Sequence, residues 1–331
     1  MIAVSRLGRI PGLIILVPLL AGAVLSAACD RHALGPITSA LTQAATPCIA
    51  VLLIAVGAQI SVRELAGLTG RSALVLAGTT ILPAAMILAY GWTFGDSGIA
   101  GVPLLTLLAV GLSNSYAMWA AIARKYGGPD DVAAGCLAAA LSSGPLIPLL
   151  VIAAWRGSAG AVSWRLLLDS VLPLLVGLVA GNVAPAIRAP LRGLLAPLLP
   201  VLSFGLGWSI PLSALVRQAP AGIVLAVAFG AISGGIVALS WGKLLHRPSA
   251  IGWAAGACAA NSGALPQLVA SADPRWAALV PVAAAQASVA VLASSVFATI
   301  AATLAARRRH IPAPDSPAAL DVGADRRVGV R

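Results

Sequence analysis

The chain repeats part of its own sequence, and this repetition constrains the fold more than any other feature. Pro18–Gly22 returns as Pro173–Gly177, and the pair Asn114-Ser115 returns as Asn261-Ser262. Further residues return at a constant offset of 150, namely Pro47, Val51, Leu52, Gly57, Ile60 and Leu65. Each half holds five hydrophobic segments, so the second half must enter a membrane from the opposite side. Inverted repeats of this kind are the architecture of secondary transporters.

The solvent around this chain is predicted to be a lipid bilayer. Hydrophobic residues make up 60% of the sequence and charged residues 9%, whereas soluble domains average about 25% charged residues. A fold in water could not bury this much apolar surface. The net charge of +11 does not indicate a nucleic-acid partner, because the basic residues lie between apolar runs and in the C-terminal tail instead of clustering on one domain.

The apolar runs have the length of membrane spans, since a helix crosses a bilayer with about 20 apolar residues. We therefore predict an all-α polytopic membrane protein with ten transmembrane helices in two inverted five-helix repeats. Residues 1–160 form the first repeat and 161–306 the second, while 307–331 are predicted to be a disordered cytoplasmic tail. The predicted spans are 10–28, 40–61, 72–94, 99–123, 132–154, 164–184, 194–215, 220–241, 249–271 and 277–305.

The distribution of Lys and Arg predicts the orientation of the spans. With the N-terminus inside, the inside segments hold sixteen of these residues and the outside loops five. Both termini are therefore expected to be cytoplasmic, in a multi-pass protein of the inner membrane. An alternative for the first span is a signal sequence cleaved near Cys29, because Arg6 and Arg9 precede its apolar run. Pro18, whose partner Pro173 lies in mid-chain, favours a retained helix.

Two predicted spans contain sequence that would break a helix near its middle. Ser and Asn are poor residues inside helices and good ones at helix N-termini. We expect two discontinuous helices that cross near the midplane, with each second half-helix starting at Asn-Ser and its positive end able to hold an anion. The alternative is that these residues only bridge neighbouring helices. The residues are Gly111, Ser113, Asn114, Ser115 and Tyr116 in the fourth span, and Asn261, Ser262, Gly263, Pro266 and Gln267 in the ninth.

Other polar residues in the spans are weaker candidates. In the fifth span Ser142 and Ser143 precede Pro145, whose missing N–H frees a carbonyl that the hydroxyls can satisfy. This sequence is equally typical of a kink and of a cavity wall. Gln286 in the tenth span is predicted to form a helix–helix hydrogen bond. The second-rank binding candidates are Gln59, Ser209 and Tyr116.

Charged and metal-binding residues are nearly absent from the predicted spans. Asp169 is the one acidic residue within a span, so it is the candidate proton site, although it could instead extend outward to the headgroups. The histidines lie outside the apolar runs and the cysteines show no metal spacing, so we predict no metal and no cofactor. A serine hydrolase built on Ser143 would lack an intramembrane His or Lys to activate the hydroxyl. We therefore predict that the chain is not an enzyme.

The sequence resembles the 2-keto-3-deoxygluconate permease family, and the likeness extends over residues 8–306. The resemblance implies a ten-helix carrier, related to the bile-acid symporters, that imports a sugar-acid anion with protons. Individual motifs are short, and their order and spacing carry the specificity. The matching stretches are Ile10–Gly12, Val17–Leu20, Val56–Ala58, Tyr126–Gly127, Ser143–Leu146, Val171–Pro173 and Gly181–Asn182.

The sequence also departs from the pattern of that family. A carboxylate is typical of the family at the place of Gly111, and an acidic residue at the place of Ser142. The position after Gly207 is typically polar, and here it is Trp208. Asn114 matches. If the missing carboxylates bind or pass protons in the family, this chain couples differently or carries another substrate.

The sequence predicts a secondary transporter that imports a small organic anion, with 2-keto-3-deoxygluconate as the leading substrate and the proton as coupling ion. An alternative is a sodium-coupled or uncoupled carrier of another organic anion. A third is a membrane partner or sensor subunit that transports nothing. The oligomeric state does not follow from the sequence. The predicted substrate-binding residues are Ser113, Asn114, Ser115, Ser142, Ser143, Asn261, Ser262 and Gln267.

Overall fold

A computed structural model describes residues 13–29, 34–62, 69–142, 146–155 and 164–308, and this part of the chain is helical without a β-strand. Ser143 and the predicted tail beyond Arg308 lie outside the described residues. The α-helices of the first half are α1 Leu13–Ala28, α2 Pro36–Thr42, α3 Ala45–Ala58, α4 Thr69–Leu76, α5 Leu82–Phe94, α6 Leu104–Gly111, α7 Tyr116–Tyr126, α8 Pro129–Ser142 and α9 Leu146–Trp155.

The second half continues the same pattern. Its α-helices are α10 Trp164–Val183, α11 Arg188–Ser209, α12 Leu212–Phe229, α13 Gly235–Lys243, α14 Ser249–Gly252, α15 Leu265–Ala272 and α16 Val280–Arg308. Two π-helical turns, Ala77–Ile81 and Gly230–Gly234, connect α4 to α5 and α12 to α13 without ending either helix. Short 3₁₀ turns lie at Pro185–Ile187, Trp253–Gly256, Ala260–Gly263 and Pro274–Leu279.

Several of these helices have the length and composition of membrane spans. Four qualify by themselves, namely Gly70–Phe94, Leu104–Tyr126, Leu212–Lys243 and Pro274–Arg308. Two bent pairs raise the number to six if each pair is one span: α2 with α3 is bent by 60°, and Val171–Val183 with Pro185–Leu195 by 118°. The structure is thus that of a multi-pass membrane protein, and the count of ten spans stays a prediction.

The predicted boundary between the seventh and eighth spans was wrong at both of its ends. The sequence placed the seventh span at 194–215, but α11 ends at Ser209 and α12 begins at Leu212. Pro211 explains the early end, because a proline disfavours the helical conformation of the residue before it. Ile210 accordingly has the extended angles φ −110° and ψ 122°. Correspondingly, α12 begins at Leu212, before the predicted start of the eighth span at 220–241.

Four helices form what we name the side layer: α1, α11, α3 and α10, packed in that order. Glycines let their backbones approach. A Cβ atom at Gly22 of α1 would overlap the carbonyl of Phe204, and one at Gly207 of α11 would overlap that of Leu19. The α3–α10 pair uses Gly57 and Gly177 in the same way, against the carbonyls of Leu174 and Ile54. Each contact therefore joins one glycine of the first half to one of the second.

The remaining helices form what we name the main bundle. Long helices α12 and α16 pack along each other, and α16 also packs against α6 and the 3₁₀ turns of the second half. Every residue of α6 is buried, so this half-helix lies in the interior of the bundle. The side layer meets the main bundle where α1 approaches α12 and where α11 approaches the turn Ala260–Gly263.

We predict that Gly207→Ala destabilises the protein by about 1–3 kcal/mol, the range for overpacking a tight contact, because the methyl group would overlap Leu19. Gly193→Ala is the matched control in the same helix, since no atom lies within 4 Å of a Cβ built there. Alanine is intrinsically the better helix former, so the control should be neutral or stabilising. Equal midpoints of thermal unfolding in detergent for the two variants would contradict the packing assigned to α1 and α11.

Candidate functional site

The first helix break lies between α6 and α7, where Leu112–Ser115 leave the helical conformation. Ser115 caps α7, since its Oγ accepts a hydrogen bond of 3.3 Å from the backbone N of Met118. The backbone N of Ser115 donates at 2.9 Å to the carbonyl of Ala257 in the second break. The predicted start of this half-helix at Asn-Ser is confirmed, and its positive end faces the other broken segment.

The second break is longer than the first. After the 3₁₀ turn Trp253–Gly256 the chain extends through Ala259, forms the turn Ala260–Gly263 and starts α15 at Leu265. The prediction that this half-helix starts at Asn261-Ser262 was therefore wrong by about one turn. Pro266 explains the later start, because proline is favoured in the first turn of a helix, where no N–H partner is needed.

The two breaks are joined by a closed set of hydrogen bonds, which we name the serine ring. The backbone N of Ala259 donates to Ser113 Oγ at 3.3 Å, and Ser262 Oγ donates to the carbonyl of Ala259 at 2.6 Å. The hydroxyls of Ser113 and Ser262 also bond to each other. Because the Ser262 hydrogen is used on Ala259, Ser113 must donate to Ser262 in this pair. All three residues are buried.

A third helix supports the crossing. Ser294 of α16 accepts a hydrogen bond of 3.0 Å from the backbone N of Cys258, so the extended segment of the second break has another of its backbone groups satisfied. Sequence reasoning missed this residue, although the pair Ser294-Ser295 in an apolar helix was a visible signal. Gln286, also on α16, donates to Gln218 Oε1 at 2.9 Å and to the carbonyl of Gly101 at 2.8 Å. Its predicted helix–helix role is confirmed.

Asn114 has a buried hydrogen-bond acceptor at the crossing that is not satisfied within the described part of the chain. Its side chain is only 3% exposed, and its Oδ1 atom has no hydrogen-bond partner among the described residues. An unpaired buried amide oxygen costs on the order of 1–3 kcal/mol, so such groups call for an explanation in a native structure. A donor on a bound ligand or water would satisfy it.

Two cavities lie on opposite sides of the crossing, between the side layer and the main bundle. The first, of about 870 Å³, contains Tyr116 at the start of α7 together with Gln59 and Arg192 of the side layer. The second, of about 910 Å³, contains Gly263 and Gln267 after the other break together with Ser209 of the side layer. The charge bias predicts that the first cavity faces the cytoplasm and the second faces outside.

The structure gathers only part of the predicted site. Ser113, Asn114, Ser115 and Ser262 lie at the crossing, and Asn261 lies half-buried in the turn beside them. Gln59 and Tyr116 line the first cavity, whereas Gln267 and Ser209 line the second. Ser143 lies outside the described residues, and Ser142 and Asp169 are described in their backbone only.

Comparison with known proteins identifies the family of this fold. A sequence model of the 2-keto-3-deoxygluconate permeases matches residues 4–310. The chain belongs to the 2-keto-3-deoxygluconate permease family. A permease of Xanthomonas axonopodis pv. citri (strain 306) is 30% identical over 311 residues, covering 91% of this chain and 96% of the relative. 2-keto-3-deoxygluconate permease 1 of Salmonella typhimurium is 29% identical over 310 residues, covering 91% and 94%.

Membership in this permease family makes the chain a membrane transporter and not an enzyme. At Gly111, where the resemblance implied a carboxylate, the structure has an apolar environment. A Cβ atom at Gly111 would lie 2.6 Å from Cε1 of Phe229 and 3.0 Å from Cδ1 of Ile87, so an acidic side chain would require both to move. Trp208 is also buried, with its ring 6.0 Å from that of Phe204.

The serine ring predicts that Ser113 and Ser262 act as a pair. In a double-mutant cycle on unfolding in detergent, we expect Ser113→Ala and Ser262→Ala to be non-additive by about 1 kcal/mol, the net value of a hydrogen bond. Ser295→Ala is the control partner, because this buried hydroxyl bonds at 2.8 Å to Val291 within its own helix. Additive effects for Ser113 with Ser262, as for Ser113 with Ser295, would show that the ring does not form.

Proposed function

We propose that this protein imports 2-keto-3-deoxygluconate by proton symport and alternating access. Relatives named 2-keto-3-deoxygluconate permease, at about 30% identity over nearly the whole chain, support the substrate. The observation that carries the mechanism is the crossing itself: two broken helices meet at buried polar residues, and each break opens toward a different cavity. Sites between broken helices are the usual place of substrate in secondary transporters.

The substrate is proposed to bind at the crossing through complementary polar groups. Asn114 Oδ1 is an acceptor only, so it fits a substrate hydroxyl, while the positive end of α7 behind Ser115 fits the carboxylate. In the second break, Asn261 is proposed to offer its half-buried amide to the substrate. Ser262 fixes the local backbone through its hydrogen bond to the carbonyl of Ala259. Ser142 and Ser143 are proposed to line the same space, since Ser142 ends the helix that packs along α7.

Transport through this site requires the main bundle to move against the side layer. We propose that the bundle with the two broken helices rocks, so that the crossing faces the two cavities in turn. The glycine contacts support a two-fold relation between the repeats 1–160 and 161–306: the equivalent residues Gly22 and Gly177 lie on α1 and α10, and Gly57 and Gly207 lie on their partners α3 and α11. The protein is accordingly proposed to be an inner-membrane protein with both termini cytoplasmic.

The function is tested by uptake of radiolabelled 2-keto-3-deoxygluconate into proteoliposomes that contain only this protein, with an imposed inward proton gradient. Accumulation stimulated by the gradient is the expected result. A membrane partner or sensor subunit, the rival from another class, would give no flux in liposomes containing this chain alone.

The site assignment predicts that Asn114→Ala and Asn261→Ala each reduce the uptake efficiency kcat/KM at least about tenfold, the effect of losing one or two ligand hydrogen bonds of about 1.4 kcal/mol in total. Thr303→Val is the control, because Thr303 is partly exposed on α16 and bonds to Thr299 in its own helix at 2.8 Å. If both Asn variants keep the uptake kinetics of the control, the substrate does not bind at the crossing.

Proton coupling is proposed to use Asp169, which lies in α10 of the side layer. We expect a protonophore to abolish accumulation and replacement of sodium to have no effect. Asp169→Asn should remove gradient-driven accumulation while leaving exchange of labelled for unlabelled substrate, because exchange needs no net proton movement. Asp273→Asn is the control, since this carboxylate already pairs with Arg275 at 2.9 Å. Uptake driven by sodium and indifferent to the protonophore would instead establish the sodium-coupled alternative.

A further inference from the structure

The first cavity differs from the second in its charge. Arg71, Arg124 and Arg192 line the cavity beside Tyr116, and among the described residues Asp130 is its one acidic lining residue. The lining of the cavity on the opposite side contains no charged residue among those described. We name the basic cavity the inner vestibule. The described residues of its walls carry a net charge of +2, since three guanidinium groups face one carboxylate.

The positive charges of the inner vestibule are only partly compensated within the protein. Arg71 pairs with Asp130, with 3.4 Å between Nη1 and Oδ2. Arg192 donates through Nε to Gln59 Oε1 at 2.9 Å, which leaves its two terminal nitrogens without a protein partner in the described part of the chain. Arg124 likewise has no hydrogen bond or ion pair there. Two guanidinium groups that share a cavity repel each other unless an anion lies between them.

The two uncompensated arginines come from different parts of the fold. Arg124 lies in the last turn of α7, the half-helix that starts at the first break, and Arg192 lies in α11 of the side layer. Tyr116, at the other end of α7, also lines the vestibule. The cavity therefore extends from the break to the predicted cytoplasmic surface, and its volume falls within the range of about 300–1,000 Å³ that is typical of small-molecule sites.

We propose that the inner vestibule is a second binding site for the transported sugar-acid anion, occupied on the cytoplasmic side before the substrate is released. The planar guanidinium groups bind carboxylates in a forked geometry. The proposal rests on the proposed function for the identity of the anion. A carboxylate held by Arg124 and Arg192 connects the main bundle to the side layer, so its binding favours the state in which the vestibule is open.

The vestibule is tested with the double variant Arg124→Gln/Arg192→Gln in right-side-out and inside-out membrane vesicles. We expect the KM measured from the vestibule side to rise about five- to tenfold, as for loss of a partly solvated charge pair. The KM from the other side should change less than about twofold. High concentrations of an inert salt should remove the difference between variant and wild type, because salt screens the pair.

Arg307→Gln is the matched control. Arg307 is an exposed arginine in the last turn of α16, on the same predicted side of the membrane, and it does not line the vestibule. If the double variant shows no larger change in KM than Arg307→Gln, the arginines only fix the orientation of the spans and the proposal is wrong.

A binding measurement separates failure of this proposal from failure of the proposed function. Equilibrium binding of radiolabelled 2-keto-3-deoxygluconate to the purified full chain in detergent should persist in Asn114→Ala and weaken by a further factor of about five to ten when Arg124→Gln/Arg192→Gln is added. If the protein shows this pattern of binding but no transport, the vestibule is supported and the transport function is refuted. Transport with binding indifferent to the arginines would refute the vestibule alone.

Lipid headgroups could supply the same anionic chemistry, and the lipid composition distinguishes the two sources. In vesicles of zwitterionic phosphatidylcholine and of anionic phosphatidylglycerol, wild-type KM from the vestibule side should be similar. If phosphatidylglycerol raises this KM in the wild type and not in the arginine variant, a headgroup occupies the vestibule and the assignment to the sugar acid is overturned.

Discussion

The hydrogen bonds between the two helix breaks are the constraint on which the rest of the structure depends. In a bilayer, a backbone group that leaves its helix has no water to replace the lost partner. Here each break supplies partners for the other. The backbone N of Ser115 donates to the carbonyl of Ala257. The Ser113 hydroxyl accepts a hydrogen bond from the backbone N of Ala259 and donates one to Ser262 Oγ. Neither broken segment could remain at this depth without the other, so the crossing position of the two half-helices follows from their hydrogen bonding.

The helices of the side layer are held together mainly by close backbone packing. Its helices gain little from the hydrophobic effect inside a bilayer, and small residues that allow close approach are the common solution. Gly22 and Gly207, and Gly57 with Gly177, provide two such contacts. Backbone packing at these glycines holds the layer together, along with hydrogen bonds such as that from Arg192 to Gln59, whereas the serine ring belongs to the main bundle. The two cavities lie between these two parts of the fold.

The sequence predicted the features that have a local cause. Ser115 was expected to start a half-helix because serine is a good N-cap, and Gln286 was expected to bond between helices because an amide in an apolar run needs a partner. The start of α15 and the end of α11 were predicted wrongly, because Pro266 and Pro211 determine these helix ends and the length of the apolar run does not. The uncompensated arginines of the vestibule could not be predicted, because Arg124 and Arg192 are distant in sequence and line one cavity only in the folded protein.

A structure determined with bound 2-keto-3-deoxygluconate would show whether the crossing binds the substrate. We expect density for the sugar acid beside the breaks, with a substrate hydroxyl about 3 Å from Asn114 Oδ1 and the carboxylate near the first turn of α7. Density confined to the second cavity or to the lipid-facing surface, with Asn114 Oδ1 still unpaired, would show that the crossing does not bind the substrate.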